Sequence, residues 1–224
     1  MRSSATSTLL LALVITSASC VGTPQPNPPA LDVSRIGTMR STRLFGVAGA
    51  LDPDAQLWIT PLDTTGDPQI VQPAPDGSFA APALDGERHR LQPKLEADVE
   101  ALRGPPVDVL LVDGVMLLGP AIGCWHVPAD ARAPDARIGE ASELVIAIEN
   151  DCDAPLVVTA ATPRRAGDVS VIEAPGEIAP GTSGSLRVAI APSAEGEREE
   201  VVALDVSAPA TERRWITVHG VGRR

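Results

Sequence analysis

Three cysteines, three histidines and several close-set aspartates are the side chains of this 224-residue chain best suited to chemistry. Cys124 and His126 stand two apart, a spacing that puts two metal ligands on one face of a strand. Cys152 and His219 are the other candidate ligands, but no second close-spaced ligand pair accompanies them, which argues against a metal site. Asp52-x-Asp54, the Asp63 to Asp67 run and Asp151-x-Asp153 offer oxygens to calcium. None has EF-hand spacing, and aspartates in such runs commonly build turns. There is no Gly-x-Ser-x-Gly elbow, no His-Glu-x-x-His, no phosphate-loop lysine motif and no Gly-x-Gly-x-x-Gly. His89, His126 and His219 are far apart, and none sits beside a candidate nucleophile. The chain therefore reads as a non-enzyme without a cofactor.

Cys20 carries a different chemistry. It follows Arg2, the apolar run Leu9 to Ile15 and the small residues Thr16-Ser17-Ala18-Ser19. That order is the charged region, short apolar region and cleavage site of an export signal. Seven apolar residues are too few to span a bilayer, which takes about 20. Thr16-Ser17-Ala18-Ser19-Cys20 resembles the lipobox of bacterial lipoproteins, whose cysteine takes a diacylglyceryl group before the new amino terminus is acylated. Ser17 stands where leucine is usual, three positions before the cysteine. The resemblance implies that residues 1–19 are removed and that three acyl chains hold Cys20 at the membrane, each buried methylene contributing about 0.8 kcal/mol. It places the chain in the bacterial cell envelope. Val21 stands where, in enteric lipoproteins, aspartate favours inner-membrane retention, which points to the outer membrane. The alternative is an ordinary secretory signal cut near a cysteine.

Residues 1–19 hold one base and no acid, so the chain from Cys20 onward has 17 basic and 29 acidic residues and a formal charge of −12. Such a surface repels phosphate backbones and anionic headgroups, which argues against nucleic acid as a partner. Lys94 is the sole lysine. Three tryptophans, two phenylalanines and no tyrosine leave few rings for stacking platforms that bind sugars or single strands. With 19 glycines and 22 prolines, many turns and short strands are expected.

Residues 20–33 hold Pro24, Pro26, Pro28 and Pro29 and read as a semi-rigid tether. Residues 34–118 read as a first β-domain. Arg43 to Val47, Gln56 to Thr60, Ser78 to Ala81 and Arg88 to Leu91 are short strands split by glycine and aspartate turns. Gly46, Gly49, Leu57, Ile59, Asp76, Gly77, Phe79 and Gly86 fall in an order that resembles the carboxypeptidase-regulatory or transthyretin-like sandwich. Leu91, Leu95, Val99 and Leu102 have helical spacing and predict a short helix ended by Gly104-Pro105-Pro106. Val109 to Val112 and Val115 to Leu118 flank Asp113-Gly114 and predict a type I′ hairpin. Apolar residues on both its faces predict that the hairpin is buried.

Residues 119–224 read as a second sandwich. Glu143 to Glu149, Leu156 to Ala160, Val169 to Ile172, Leu186 to Ile190, Val201 to Val206 and Trp215 to His219 are strands at sandwich spacing. Gly181 to Ser185 reads as a turn. The strand ending in Asn150, then Pro180-Gly181-Thr182, the strand to Ile190 before Pro192, Gly196, and Val218-His219-Gly220-Val221-Gly222 resemble immunoglobulin-like domains of the ASPM–SPD-2–hydin type. The expected fold is all-β, two tandem immunoglobulin-like sandwiches. With Cys20 lipidated, Cys124 and Cys152 remain in an oxidising compartment where cysteines pair. In the sandwich reading they lie at adjoining ends of antiparallel strands, which predicts a disulfide. Alternation puts Ile216 and Val218 on the core face of the last strand and Trp215, Thr217 and His219 on the other. Trp215 and His219 then offer a partner surface or pack on the first domain. The expected function is interaction, scaffolding or adhesion with an envelope protein or surface component. The alternative is a small-ligand or metal-binding lipoprotein serving a transporter or envelope enzyme.

Overall fold

The computed structural model describes residues 27–39, 43–84, 86–97, 100–119 and 123–224; Cys20 and the export signal lie outside them. Val33–Arg35 forms one 3-10 turn, capped by Asp32, whose carboxylate accepts from the Ser34 amide. The rest of the regular structure is strand.

Nine strands belong to the first half: β1 (Ile36–Met39), β2 (Arg43–Gly46), β3 (Gln56–Pro61), β4 (Gln69–Val71), β5 (Phe79–Ala80), β6 (Arg88–Leu95), β7 (Leu102–Arg103), β8 (Val107–Val112) and β9 (Val115–Gly119). They form a β1-β2-β5 sheet and a β4-β3-β6-β8-β9 sheet, with β7 paired to β6. Ile36, Leu44 and Phe79 from the first sheet pack on Leu57, Ile59, Leu91, Val109 and Leu111 from the second. Leu57 and Ile59 of β3 and Leu91 of β6 share that face, as strand alternation dictates.

The segment with helical spacing is not a helix. Leu91 and Leu95 lie on β6, and the chain returns as β7 with Leu102 opposite Leu95; Val99 is outside the described residues. β6 is held between β3 and β8, and burial of both its faces outweighs a local apolar spacing that a helix would share. The hairpin does form. Asp113 and Gly114 have φ of 49° and 81°, both positive as a type I′ turn requires. Its expected burial holds only for Val109 and Leu111 of β8. β9 is an edge strand, and Val115, Leu117 and Leu118 are 55%, 48% and 57% exposed.

The second half comprises β10 (Trp125–His126), β11 (Asp130–Arg132), β12 (Ala136–Arg137), β13 (Ser142–Asn150), β14 (Leu156–Pro163), β15 (Val169–Glu173), β16 (Glu177–Ile178), β17 (Thr182–Ile190), β18 (Gly196–Ala208) and β19 (Glu212–Arg223). A β10-β13-β17-β15 sheet faces a β11-β19-β18-β14-β16 sheet, and β12 also pairs with β19. Ile146, Ile148, Leu186 and Val188 meet Leu156, Val202, Leu204, Ile216 and Val218 between them. Thr182 to Ser185 is strand, not turn, because the whole of β17 pairs with β13; only Gly181, at φ 67°, turns.

Cys124 and Cys152 are joined by a disulfide with Cα atoms 4.8 Å apart. Trp125 opposite Asn150 brings the two strand ends together. The fully buried Asn150 amide holds the loop beyond: its Nδ2 donates to Ala154 and Ile178 carbonyls and its Oδ1 accepts from the Cys152 amide.

Candidate interaction site between the two sandwiches

No described sheet contains strands from both halves, so side chains make the junction. Alternation directs Arg88, Arg90, Gln92 and Lys94 of β6 away from the first core, with Asp108, Leu110 and Val112 of β8 beside them. The non-core face of β18 and β19 lies opposite. Arg90, 2% exposed, is the central clamp. Its Nε and Nη2 donate to the two Asp108 oxygens at 2.7 and 2.8 Å. Nη1 reaches the Ala129 carbonyl at 2.7 Å and the Thr217 hydroxyl at 2.8 Å, and Nη2 the Trp215 carbonyl at 2.6 Å. A planar guanidinium is the side chain that can fill five such positions at once.

Charged side chains continue along the junction. Lys94 donates to Glu199 at 2.5 Å and lies 3.8 Å over the Trp58 ring. Arg103 contacts both Glu197 and Glu199, and Gln92 donates to Asp130. Burial lowers the Lys94 pKa, opposed by Glu199 and reinforced by Arg103. Burial pushes the Glu199 carboxyl up, but Arg103 and Lys94 outweigh it and hold it below the usual range. At the other end Arg164 donates to the Thr64 and Gly66 carbonyls, and Arg165 bridges Asp67 and Glu200. An apolar patch of Leu62, Val201, Ala203 and Trp215 closes the junction.

Trp215 and His219, read as a partner surface, are only 7% and 6% exposed. Their face of β19 is the one predicted, but the first half covers it. Trp215 packs in the apolar patch, and its backbone carbonyl receives Arg90. His219 lies 3.4 Å from Glu100 and 3.6 Å from Asp130. Burial and then Arg103 hold its imidazole below the ordinary value of 6.5, against Asp130, Glu197 and Glu100. The partner-surface reading of these two residues is therefore corrected.

The four candidate metal ligands do not converge. Cys124 and Cys152 are bonded to each other, His126 is 3.5 Å from Asp151, and His219 sits in the junction. The aspartate runs are engaged otherwise: Asp52 accepts from the Asp54 amide, Asp63 from Arg88 and Asp67 from Arg165. Among the described residues no group of three or more His, Cys, Asp or Glu side chains is placed to hold a metal.

Where the junction ends, a groove of about 940 Å³ opens between the halves. Leu110, Leu117 and Leu118 form one wall, Thr159, Val206 and the β18–β19 connection the other, with Trp215 among its lining. Its volume lies in the range of about 300–1,000 Å³ usual for ligand sites. Of these residues Trp215 alone stood out in the sequence as a site. The readable signal was the alternation of Arg88, Arg90, Gln92 and Lys94, with the sole lysine in it.

The sequence matches no protein-family profile and no curated protein. Among solved structures, the ASH / PapD-like domain 7 of human CEP192 is similar at 11% identity and a TM-score of 0.36, over 50% of this chain and 97% of that one. A protein of unknown function from Porphyromonas gingivalis W83 is similar at 16% identity and a TM-score of 0.38, over 87% and 100%. The Vibrio cholerae VesB protease is similar at 11% identity and a TM-score of 0.39, over 83% and 89%. The class of this protein, an all-β chain of packed sandwiches, rests on its own sheets and cores.

Proposed function

We propose that this chain is a lipid-anchored cell-envelope protein, held through Cys20, that acts as a non-enzymatic interaction or scaffolding module. The observation that carries the reading is the groove beside β9, walled by the half-exposed Leu117 and Leu118. The charged junction supports it by joining the two sandwiches beside that groove. Anchorage is tested by labelling with a fatty-acid analogue. The wild-type protein takes the label and Cys20→Ala does not; an unlabelled wild type refutes anchorage. Interaction is tested by crosslinking the native lipidated protein in intact envelopes. Adducts that vanish in Leu117→Lys support it, and adducts unchanged by that substitution refute it. A small-ligand carrier is the second reading, favoured by the groove volume. Native mass spectrometry of protein taken from envelopes decides it, since a carrier retains a molecule of defined added mass.

A further inference from the structure

The groove runs along the outer edge of β9. Leu117 and Leu118 are neighbours on a strand, so they point to opposite faces, yet both line it. The two-residue turn makes Val112 and Val115 a hydrogen-bonded pair, and such pairs alternate along a hairpin. Leu117, opposite Leu110, is the next residue turned towards β8. The N–H and C=O of Met116 and Leu118 therefore point outward, and no described strand pairs with that edge. The Thr38 hydroxyl reaches the Gly114 carbonyl at the hairpin tip, and β1 comes near β9 without pairing to it.

Charge narrows the occupant. Every charged side chain lining the groove is already in an ion pair: Arg88 with Asp63, Asp108 with Arg90, Arg213 with Asp205, and Glu212 with Arg214. A charged ligand would have to be desolvated without a free counter-charge. The apolar strip Leu110, Val112, Val115 and Leu117 is continuous with the junction between the halves, because it lies on the same sheet face as Arg88, Arg90, Gln92 and Lys94. Thr159, Val206 and the β18–β19 connection stand opposite that edge across the groove.

Resting on the interaction reading above, we propose that this groove takes an extended, uncharged polypeptide segment, which adds as a strand to the outer edge of β9 and sets side chains of its one face against Leu117 and of its other face against Leu118. Free main-chain donors and acceptors along an apolar edge are the chemistry of strand addition; an acyl chain could use the leucines but not the peptide groups.

The test uses the whole chain from Cys20 and fluorescein-labelled peptides of about nine residues alternating valine with threonine. Anisotropy should show saturable binding that weakens at least tenfold in Leu117→Lys and in Leu118→Lys. Both positions are about half exposed, so unchanged melting curves should confirm that the variants fold. The same peptide methylated on alternate backbone nitrogens should fail to bind. Equal binding of the methylated peptide, or no saturable binding of either, overturns the inference. Sedimentation velocity separates this from the broader reading. A concentration-dependent dimer of the wild type that Leu117→Lys abolishes assigns the edge to a second copy, which overturns the peptide but leaves an interaction module standing. Envelope crosslinks unchanged by Leu117→Lys remove both.

Discussion

Replacing Arg90 by methionine tests whether a paired charge holds the two halves together. The substitution keeps an unbranched stem that reaches about as far as Nε and removes five hydrogen bonds, four of them to Asp108, the Ala129 carbonyl and the Trp215 carbonyl. Asp108, with a side chain only 10% exposed, loses its counter-charge. Breaking a buried pair from one side costs on the order of 3–5 kcal/mol. Each orphaned carbonyl adds about 1–3 kcal/mol if it stays dry. Asp108 lines the groove, so water can follow the vacated guanidinium and keep the total low, about 3–4 kcal/mol. For a chain of this size that is a fall in Tm of roughly 6–16 °C. Urea unfolding of the chain from Cys20, followed by tryptophan fluorescence, measures it directly. Trp215 and Trp58 sit in the junction and report its opening. Adding Asp108→Leu to Arg90→Met should recover most of the loss, because an apolar pair leaves no buried charge unpaired. A single variant within about 1 kcal/mol of wild type, or a double variant no more stable than the single, would refute the reasoning.

Replacing both Cys124 and Cys152 by serine should lower stability by about 3.5 kcal/mol in the chain-entropy model, given a sequence separation of 28; equal urea midpoints for oxidised and reduced wild type would contradict this. Stability should fall with acid in two stages. His219 has a folded pKa below its ordinary 6.5, so the unfolded chain binds the extra proton and stability drops as pH falls from about 6.5 towards the folded value. Glu199, Glu100, Asp135 and Asp205 have lowered pKa values, so their contribution is present above the ordinary carboxylate range and is lost as pH falls through their folded values. His219→Gln should erase the first stage and spare the second, which a urea midpoint series from about pH 8 to pH 2 resolves. Gly77→Ala should cost clearly more than Gly139→Ala. Both residues have positive φ, but a Cβ at Gly77 would lie 2.3 Å from the Leu51 carbonyl oxygen, whereas one at Gly139 meets nothing within 4 Å. Equal melting temperatures for the two variants would show that strain alone governs these turns.

What was legible follows from local rules. Gln56 to Thr60 and Glu143 to Glu149 alternate, and both are strands. Asp113-Gly114 between apolar runs made the turn it suggested, because few residue pairs accept positive φ twice. The helix reading failed for a related reason. Leu91 and Leu95 at a spacing of four suit a helix face, and a strand tolerates them as well when both its faces are buried. Nothing within ten residues of Leu91 states that β3 and β8 will flank it.

Backbone geometry acting over a few residues was enough to specify an all-β chain, its Asp-Gly hairpin and the face of β19 that carries Ile216 and Val218. Two cysteines at adjoining strand ends were enough to pair Cys124 with Cys152. Which polar face is covered was settled only in three dimensions. Arg90 meets Thr217 across 127 residues of sequence, and the same alternation of polar residues would serve a strand facing water. The covering sheet with its complementary carboxylates turns Trp215 and His219 from an apparent surface into an interior. β9 shows the converse. Val115 to Leu118 is apolar on both faces and reads as a central strand, but strand order leaves it at an edge, and strand order depends on which distant segments pair rather than on the residues of β9.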